Sequence, residues 1–146
     1  WQAVVFAHGV PVRALLTSLS MFFLAGLALA DDVSDSDKLL CSASTVTLCF
    51  ESGDCMSADP WELDMPQFVL IDLRKNTVST TRASGESRST ELQPRRAETA
   101  LFLQGVENGR AFSFVIDHAT GLLSAAISFD GATISVFGAC TDPDNL

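Results

Sequence analysis

The sequence predicts an all-β fold: an antiparallel meander of about eight strands that forms a small closed barrel or a folded-over sandwich, with two disulfides. From Thr45 onward, runs of β-branched and aromatic residues alternate with turn residues about every ten positions. Three turn signals near the C-terminus agree on one strand register. Four cysteines in so short a chain also fit a disulfide framework.

The segment before the β domain, residues 1–30, is predicted to be a signal peptide. Residues 14–30 (ALLTSLSMFFLAGLALA) are uncharged and apolar, and they close on a small-x-small triplet that ends at Ala30. The run is shorter than the roughly 20 apolar residues that cross a bilayer. Arg13 is the first positive charge, and a GTG start codon at Val12 would give a normal n-region. Residues before Val12 are therefore predicted not to belong to the natural product.

Export sets the expected environment and the expected class of partner. A periplasmic or secreted localisation follows from the signal peptide, without stable membrane insertion after cleavage. The formal net charge is −9, from 18 acidic and 9 basic residues, which disfavours binding to nucleic-acid phosphates. The expected partner is a protein or a cell-envelope component.

Composition divides the remaining chain in two. Residues 31–40 begin with the polar run DDVSDSDK and are predicted to be a flexible acidic leader. Residues 41–146 are predicted to form a single β domain around one core.

The cysteines Cys41, Cys49, Cys55 and Cys140 allow three pairings. We favour Cys49–Cys55, across a short polar turn, and Cys41–Cys140, which joins the two ends of the domain. In the loop-entropy model the long bridge stabilises the fold by about 4 to 5 kcal/mol and the short one by about 2. A zinc site is the rival interpretation, but no C-x-x-C pair is present and His118 is the only histidine after residue 30.

Eight segments are predicted as strands: residues 44–50, 67–72, 77–82, 88–92, 99–106, 110–117, 122–128 and 132–138. The register is clearest at Asn108-Gly109, where these two residues suit the positive φ angles of a type I′ turn. That turn sets Glu107 opposite Arg110.

Two further turns extend this register along the sheet. Gly121 is predicted to close a four-residue loop in the left-handed conformation. Asp130-Gly131 is predicted to be a second type I′ turn that pairs Phe129 with Ala132. Together the three turns place one apolar face in the core: Leu101, Leu103, Gly105, Phe112, Phe114, Ile116, Leu123, Ala125, Ile127, Ile134 and Val136.

No catalytic constellation is visible in the sequence. His118 lies in a hairpin loop beside Asp117, with no second histidine in the β domain, which argues against serine–histidine catalysis. No EF-hand loop is present. The sequence therefore predicts no catalytic residues, no metal and no cofactor, and a protein that is not an enzyme. The alternative is a hydrolase with two carboxyl groups in a cleft, whose pKa values burial or mutual repulsion would raise.

Four residues are candidates for contact with a partner. Glu107 and Arg110 flank the hairpin turn and are predicted to form a cross-strand ion pair. Gln104 faces Ser113 on the side away from the core. Trp61 lies in a loop bracketed by prolines, which is predicted either to cover one barrel end or to form an exposed apolar patch.

The C-terminal half resembles a known group of secreted proteins. Between Leu103 and Thr141 the chain contains LQGVENGR, then a Thr-Gly turn, then FGAC. This combination resembles small, uncharacterised secreted β-domain proteins of Gram-negative bacteria. The resemblance implies export and a disulfide-bonded β fold, and it implies no activity.

A second resemblance is to periplasmic lysozyme inhibitors of the small-barrel kind. These also close eight strands with a terminal cysteine bridge and carry a Ser-Gly-x-x motif. Residues 84–88 (SGESR) stand in that place here, with Arg88 where those proteins usually carry an aromatic residue. The resemblance implies an enzyme inhibitor as an alternative function.

The leading functional hypothesis is an exported, non-enzymatic binding module that contacts its partner through hairpin loops or a barrel end. A small-molecule carrier would need a cavity inside the barrel. Because Phe112 and Phe114 are large and predicted to face inward, the interior is expected to be filled.

Overall fold

The computed structural model describes residues 31–84 and 87–146, and their fold is an all-β, nearly closed barrel of ten antiparallel strands. The strands are β1 (Lys38–Phe50), β2 (Cys55–Ser57), β3 (Phe68–Asp72), β4 (Thr77–Thr80), β5 (Ser89–Glu91), β6 (Gln93–Arg96), β7 (Ala100–Glu107), β8 (Arg110–Asp117), β9 (Leu122–Phe129) and β10 (Ala132–Thr141). The predicted fold class is confirmed. The predicted signal peptide and translation start lie outside the described residues.

The barrel closes through a bent segment of chain rather than through a complete ladder. The strand order is β5-β4-β3-β1-β10-β9-β8-β7-β6, with β2 paired to β1 on one side. The two ends of this order, β5 and β6, are separated in sequence only by the buried Leu92. The strand that pairs with β4 therefore bends at Leu92 and continues as the strand that pairs with β7. Between β5 and β7 a seam remains.

The C-terminal strands have the predicted register. Glu107 pairs with Arg110, Ile116 with Leu123, and Phe129 with Ala132. Asn108, Gly109 and Gly121 have the expected positive φ angles of 49°, 76° and 63°.

The predicted type I′ turn at Asp130-Gly131 is wrong in its details. Gly131 has a φ of 68°, but Asp130 is not among the described residues with positive φ. A two-residue turn in which only the second residue is left-handed meets the requirement of a type II turn. The register is unaffected, because both turns join the strands through two residues.

The core consists of two clusters of buried side chains. The first fills one end of the barrel and includes Leu39, Ile71, Leu101, Leu103 and Ile116, all at most 2% exposed. The second lies against β1 and β10 and is built on Val46, Ile134 and Val136. Together with the partly buried side chains packed against them, the two clusters contain every residue predicted for the core face except Gly105, because alternate residues of each strand point inward.

Residues 31–40 differ from the predicted flexible leader. Val33 is 2% exposed and belongs to the first core cluster, and its N–H donates to the carbonyl of His118 at 2.8 Å. Arg96 donates to the carbonyls of Ser34 and Ser36. The segment therefore packs across one end of the barrel, which we call the plugged end. Within residues 31–37 the one hydrophobic core residue is Val33, and its polar and acidic neighbours give the sequence the look of a solvated leader. Residues 38–40 already belong to β1, where Leu39 is buried.

Both predicted disulfides are confirmed. Cys41–Cys140 joins directly opposed residues of β1 and β10, and Cys49–Cys55 joins opposed residues of β1 and β2. Two disulfides in a small domain are typical of an oxidising, extracytoplasmic environment. Within the described residues, no helix is long and apolar enough to cross a membrane.

Candidate functional site

A cavity of about 120 Å³ lies between the two core clusters and opens at the barrel end opposite the plugged end. We call this the open end; it carries the Asn108-Gly109 turn and the loop of residues 58–67. The walls of the cavity are mainly apolar: Val69, Val78, Phe112, Phe114, Leu123, Ala125, Ile127 and Val136. Its rim is charged and consists of Asp64, Arg88, Glu107 and Arg110.

The filled interior predicted from Phe112 and Phe114 is therefore wrong. The two rings stack on each other, with centroids 5.2 Å apart and an interplanar angle of 28°. A Cβ at Gly105 would overlap the ring of Phe112, so the missing side chain leaves room for that ring against β7. Both rings line the cavity, together with Ala125, which is directly opposite Phe114 on β9.

The loop of residues 58–67, here called the mouth loop, covers part of the open end. It contains one turn of 3-10 helix, Pro60–Leu63, in which the Glu62 carboxylate accepts from the Asp59 N–H at 2.8 Å. Leu63 and Met65 pack against the second core cluster. Trp61 does not cap the core, because 67% of its surface is exposed.

Two arginines attach the mouth loop to the barrel. The Arg110 Nη1 donates to the carbonyl of Leu63 at 3.1 Å, and its guanidinium lies over the Phe129 ring at 5.3 Å. The Arg88 Nη2 donates to the carbonyl of Asp64 at 3.3 Å, and its Nη1 lies 3.6 Å from the Asp64 carboxylate. The rim charges therefore also determine the position of the loop.

The predicted ion pair between Glu107 and Arg110 is not formed. The residues are directly opposed, as the register requires. However, Arg110 instead contacts Leu63 and Phe129, which lie on elements that the turn signal does not reveal. The Glu107 carboxylate has no salt-bridge partner within the described part of the chain.

The structure brings three of the four candidate interaction residues to the open end. Glu107 and Arg110 line the cavity, and Trp61 lines an adjoining groove that shares Asp64 and Arg88 with it. Gln104 lies elsewhere, in a shallow groove on the outer face of the barrel. Sequence reasoning missed Asp64 and Arg88, since no local pattern connects their distant loops.

The carboxyl groups with clearly lowered pKa lie at the plugged end, away from the cavity. The Thr120 hydroxyl donates to Asp117 at 2.7 Å and lowers the pKa of that carboxyl. The Ser36 hydroxyl does the same for Asp142, and the Ser34 N–H lowers the pKa of Asp32. These are ionised turn and cap residues, whereas acid catalysis would need a raised pKa.

Exposed apolar side chains also occur on the outer face of β7 to β10. One row across these strands contains Phe102, Val115, Ser124 and Phe137. Phe137 is 55% exposed. The rows toward the Asn108-Gly109 turn contain serine, threonine, alanine, Gln104 and Val106, whereas the row on the other side contains Asp117, opposite Ala100.

The comparisons with known proteins returned no relatives: no family model matches the chain, and no curated protein or solved structure matches it significantly. Any function must therefore be argued from the geometry of the open end. The proposed inhibitor motif at residues 84–88 cannot be placed as a whole, because residues 85 and 86 lie outside the described residues.

Proposed function

We propose that this protein is an exported, non-enzymatic binding module that receives an apolar group of its partner in the cavity at the open end. The lining of the cavity supports this proposal: most of its residues are apolar, Ser42 and Gln67 are neutral and polar, and the charged residues are Asp64, Arg88, Glu107 and Arg110. Binding sites commonly combine apolar walls with a few polar groups that orient the ligand. The disulfides and the barrel hold the walls rigid, so little ordering is needed on binding.

The cavity can be tested with a matched pair of variants. Ala125 lines the cavity, whereas the next residue, Ala126, is exposed on the outer face. Ala125→Leu should fill the cavity, and Ala126→Leu should leave it unchanged. We expect wild type and Ala126→Leu to retain the same component from a cell-envelope extract, and Ala125→Leu to lose it.

The proposal fails if no component is retained, or if Ala125→Leu binds as well as wild type while circular dichroism shows both to be folded. Fluorescence gives a second measurement, because Trp61 is the only tryptophan after residue 30. Its emission should shift on binding in wild type and not in Ala125→Leu.

The proposed localisation is periplasmic or secreted, with cleavage after Ala30. The apolar run of residues 14–30 and the two disulfides support it. N-terminal sequencing of the exported protein should give Asp31 as the first residue. Retention of residues 14–30 in that protein would contradict this part of the proposal.

A hydrolase is the second candidate, because Asp64 and Glu107 both line the cavity. Turnover of chromogenic glycosides that is lost in Glu107→Gln and in Asp64→Asn would support it. The inhibitor alternative is tested by adding the protein to a lysozyme reaction. In that case the protein should hydrolyse no substrate itself and should lower the rate of the lysozyme.

A further inference from the structure

The size of the cavity limits its occupant to one small apolar group. Its volume is about 120 Å³, close to the roughly 150 Å³ of an engineered protein cavity that holds benzene. A polar group inside would lose its hydrogen bonds to water without replacement from walls such as Phe112 and Ile127. One leucine, methionine or phenylalanine side chain matches this space, and a long acyl chain does not.

The rim offers one hydrogen-bond acceptor and one donor side by side. Glu107 and Arg110 are directly opposed residues of β7 and β8, and both line the cavity. Arg110 donates one N–H to Leu63, whereas a guanidinium has five. No salt bridge occupies the Glu107 carboxylate among the described residues.

This pair of side chains favours a neutral group with one donor and one acceptor. A carboxylate on the occupant would be attracted by Arg110 but repelled by Glu107. An ammonium group would be attracted by Glu107 but repelled by Arg110. A peptide group carries one N–H and one C=O and suits both. Resting on the proposed binding function, we infer that the cavity receives an apolar side chain of a peptide or protein partner, whose backbone amide bonds to Glu107 and Arg110.

The surroundings of the cavity suit a partner that extends beyond it. Trp61 is 67% exposed and lines the groove that adjoins the cavity at Asp64 and Met65. Tryptophan is enriched among the residues that contribute most to the binding energy of protein interfaces. Residues flanking the inserted side chain would contact this groove.

Four small probes separate a peptide from other ligands. N-acetyl-leucine methylamide, 4-methylpentanoate and 3-methylbutylamine carry the same branched alkyl group on an amide, a carboxylate and an ammonium group. N-acetyl-glycine methylamide has the amide without the side chain. In NMR titrations of the methyl groups of Ala125 and Ile127, the leucine amide should bind about tenfold more tightly than either charged probe. The glycine amide should give no shift.

A matched pair of variants tests the rim. Glu107→Gln removes the like charge that opposes the carboxylate, so the preference for amide over carboxylate should narrow several-fold. Glu91→Gln is the same change on β5, at a residue that lines the outer groove rather than the cavity, and it should leave the preference unchanged.

The probe titrations distinguish failure of the peptide inference alone from failure of the proposed binding function. If a charged probe binds at least as tightly as the leucine amide, or if Glu107→Gln leaves the preference unchanged, the peptide inference is overturned while the cavity remains a binding site. If none of the four probes shifts the signals of Ala125 and Ile127, the peptide inference and the proposed function both fail.

Discussion

Gly105 shapes the cavity through the side chain that it lacks. A Cβ at this position would overlap the Phe112 ring and would lie 3.0 Å from the carbonyl oxygen of Glu91, across the seam between β5 and β7. Its φ is not positive, so space rather than backbone conformation requires glycine here. The absence of a side chain at Gly105 therefore leaves room for the Phe112 ring in the cavity wall and for the close approach of β5 to β7.

Gly105→Ala should destabilise the fold by about 1 to 3 kcal/mol through overpacking. Adding Phe112→Leu removes the ring atoms that clash, so the double variant should be more stable than the sum of the single effects predicts. Urea unfolding of the four proteins measures this coupling. Strict additivity would show that the Phe112 ring is not what occupies the space at Gly105.

Asp117 provides a prediction on pH. The Thr120 hydroxyl holds the pKa of this carboxyl below its ordinary value of 3.8. Because the carboxyl group has a lower pKa in the folded than in the unfolded protein, its ionisation stabilises the fold at any pH above the unfolded-state pKa. This contribution is lost as the pH falls through the folded-state pKa. In an NMR titration, Thr120→Ala should raise the pKa of Asp117 toward 3.8. A wild-type pKa at or above 3.8 would contradict this account.

Among the elements, β1 connects the two halves of the sheet. Its first residues pair with β3 and its last with β2, while β10 runs along its other side. Each disulfide joins β1 to a directly opposed residue, one on β10 and one on β2. The two bridges nevertheless enclose loops of very different length, with sequence separations of 99 and 6.

Removal of the long-range disulfide should therefore lower the free energy of unfolding more than removal of the short-range one. The pair Cys41→Ser and Cys140→Ser should lower the free energy of unfolding by about 4 to 5 kcal/mol, and the pair Cys49→Ser and Cys55→Ser by about 2. Denaturant unfolding of both double variants compares them directly. Equal losses would show that loop entropy does not determine the contribution of these bridges.

The whole molecule has two dissimilar ends. Residues 31–37 pack over the plugged end, with Val33 inserted in the first core cluster. At the open end, the mouth loop is held by hydrogen bonds from Arg88 and Arg110, and the cavity remains beneath it. A barrel sealed at one end and open at the other presents one surface for binding.

The contribution of residues 31–37 to the stability of the barrel can be measured by making the same valine-to-alanine substitution at two positions. Val33→Ala should lower the free energy of unfolding by about 1 to 3 kcal/mol, through lost burial and an added void. Val106→Ala, at a side chain that is 70% exposed, should change it by less than about 0.5 kcal/mol. Equal effects of the two variants would show that residues 31–37 do not stabilise the barrel.

The sequence predicted eight of the ten strands and the register of the last four. β6 was missed because it contains Pro94, which lacks the N–H that a ladder normally uses. β2 was missed because its three residues are all exposed and show no apolar alternation. Of the site, Glu107, Arg110 and Trp61 were predicted, whereas Arg88 and Asp64 were not. Their contact depends on how two loops, distant in sequence, meet above the barrel.

The sequence by itself determined the all-β class and the C-terminal register, because alternation and turn chemistry are local properties. It left three cysteine pairings open, and the tertiary structure shows which one forms, Cys41–Cys140 with Cys49–Cys55. Only the tertiary structure decided that the interior is not filled. Whether Phe112 and Phe114 fill the barrel depends on where Gly105 lets their rings lie and on the distance to the opposite wall. That distance is set by closure of the sheet, which no single strand encodes.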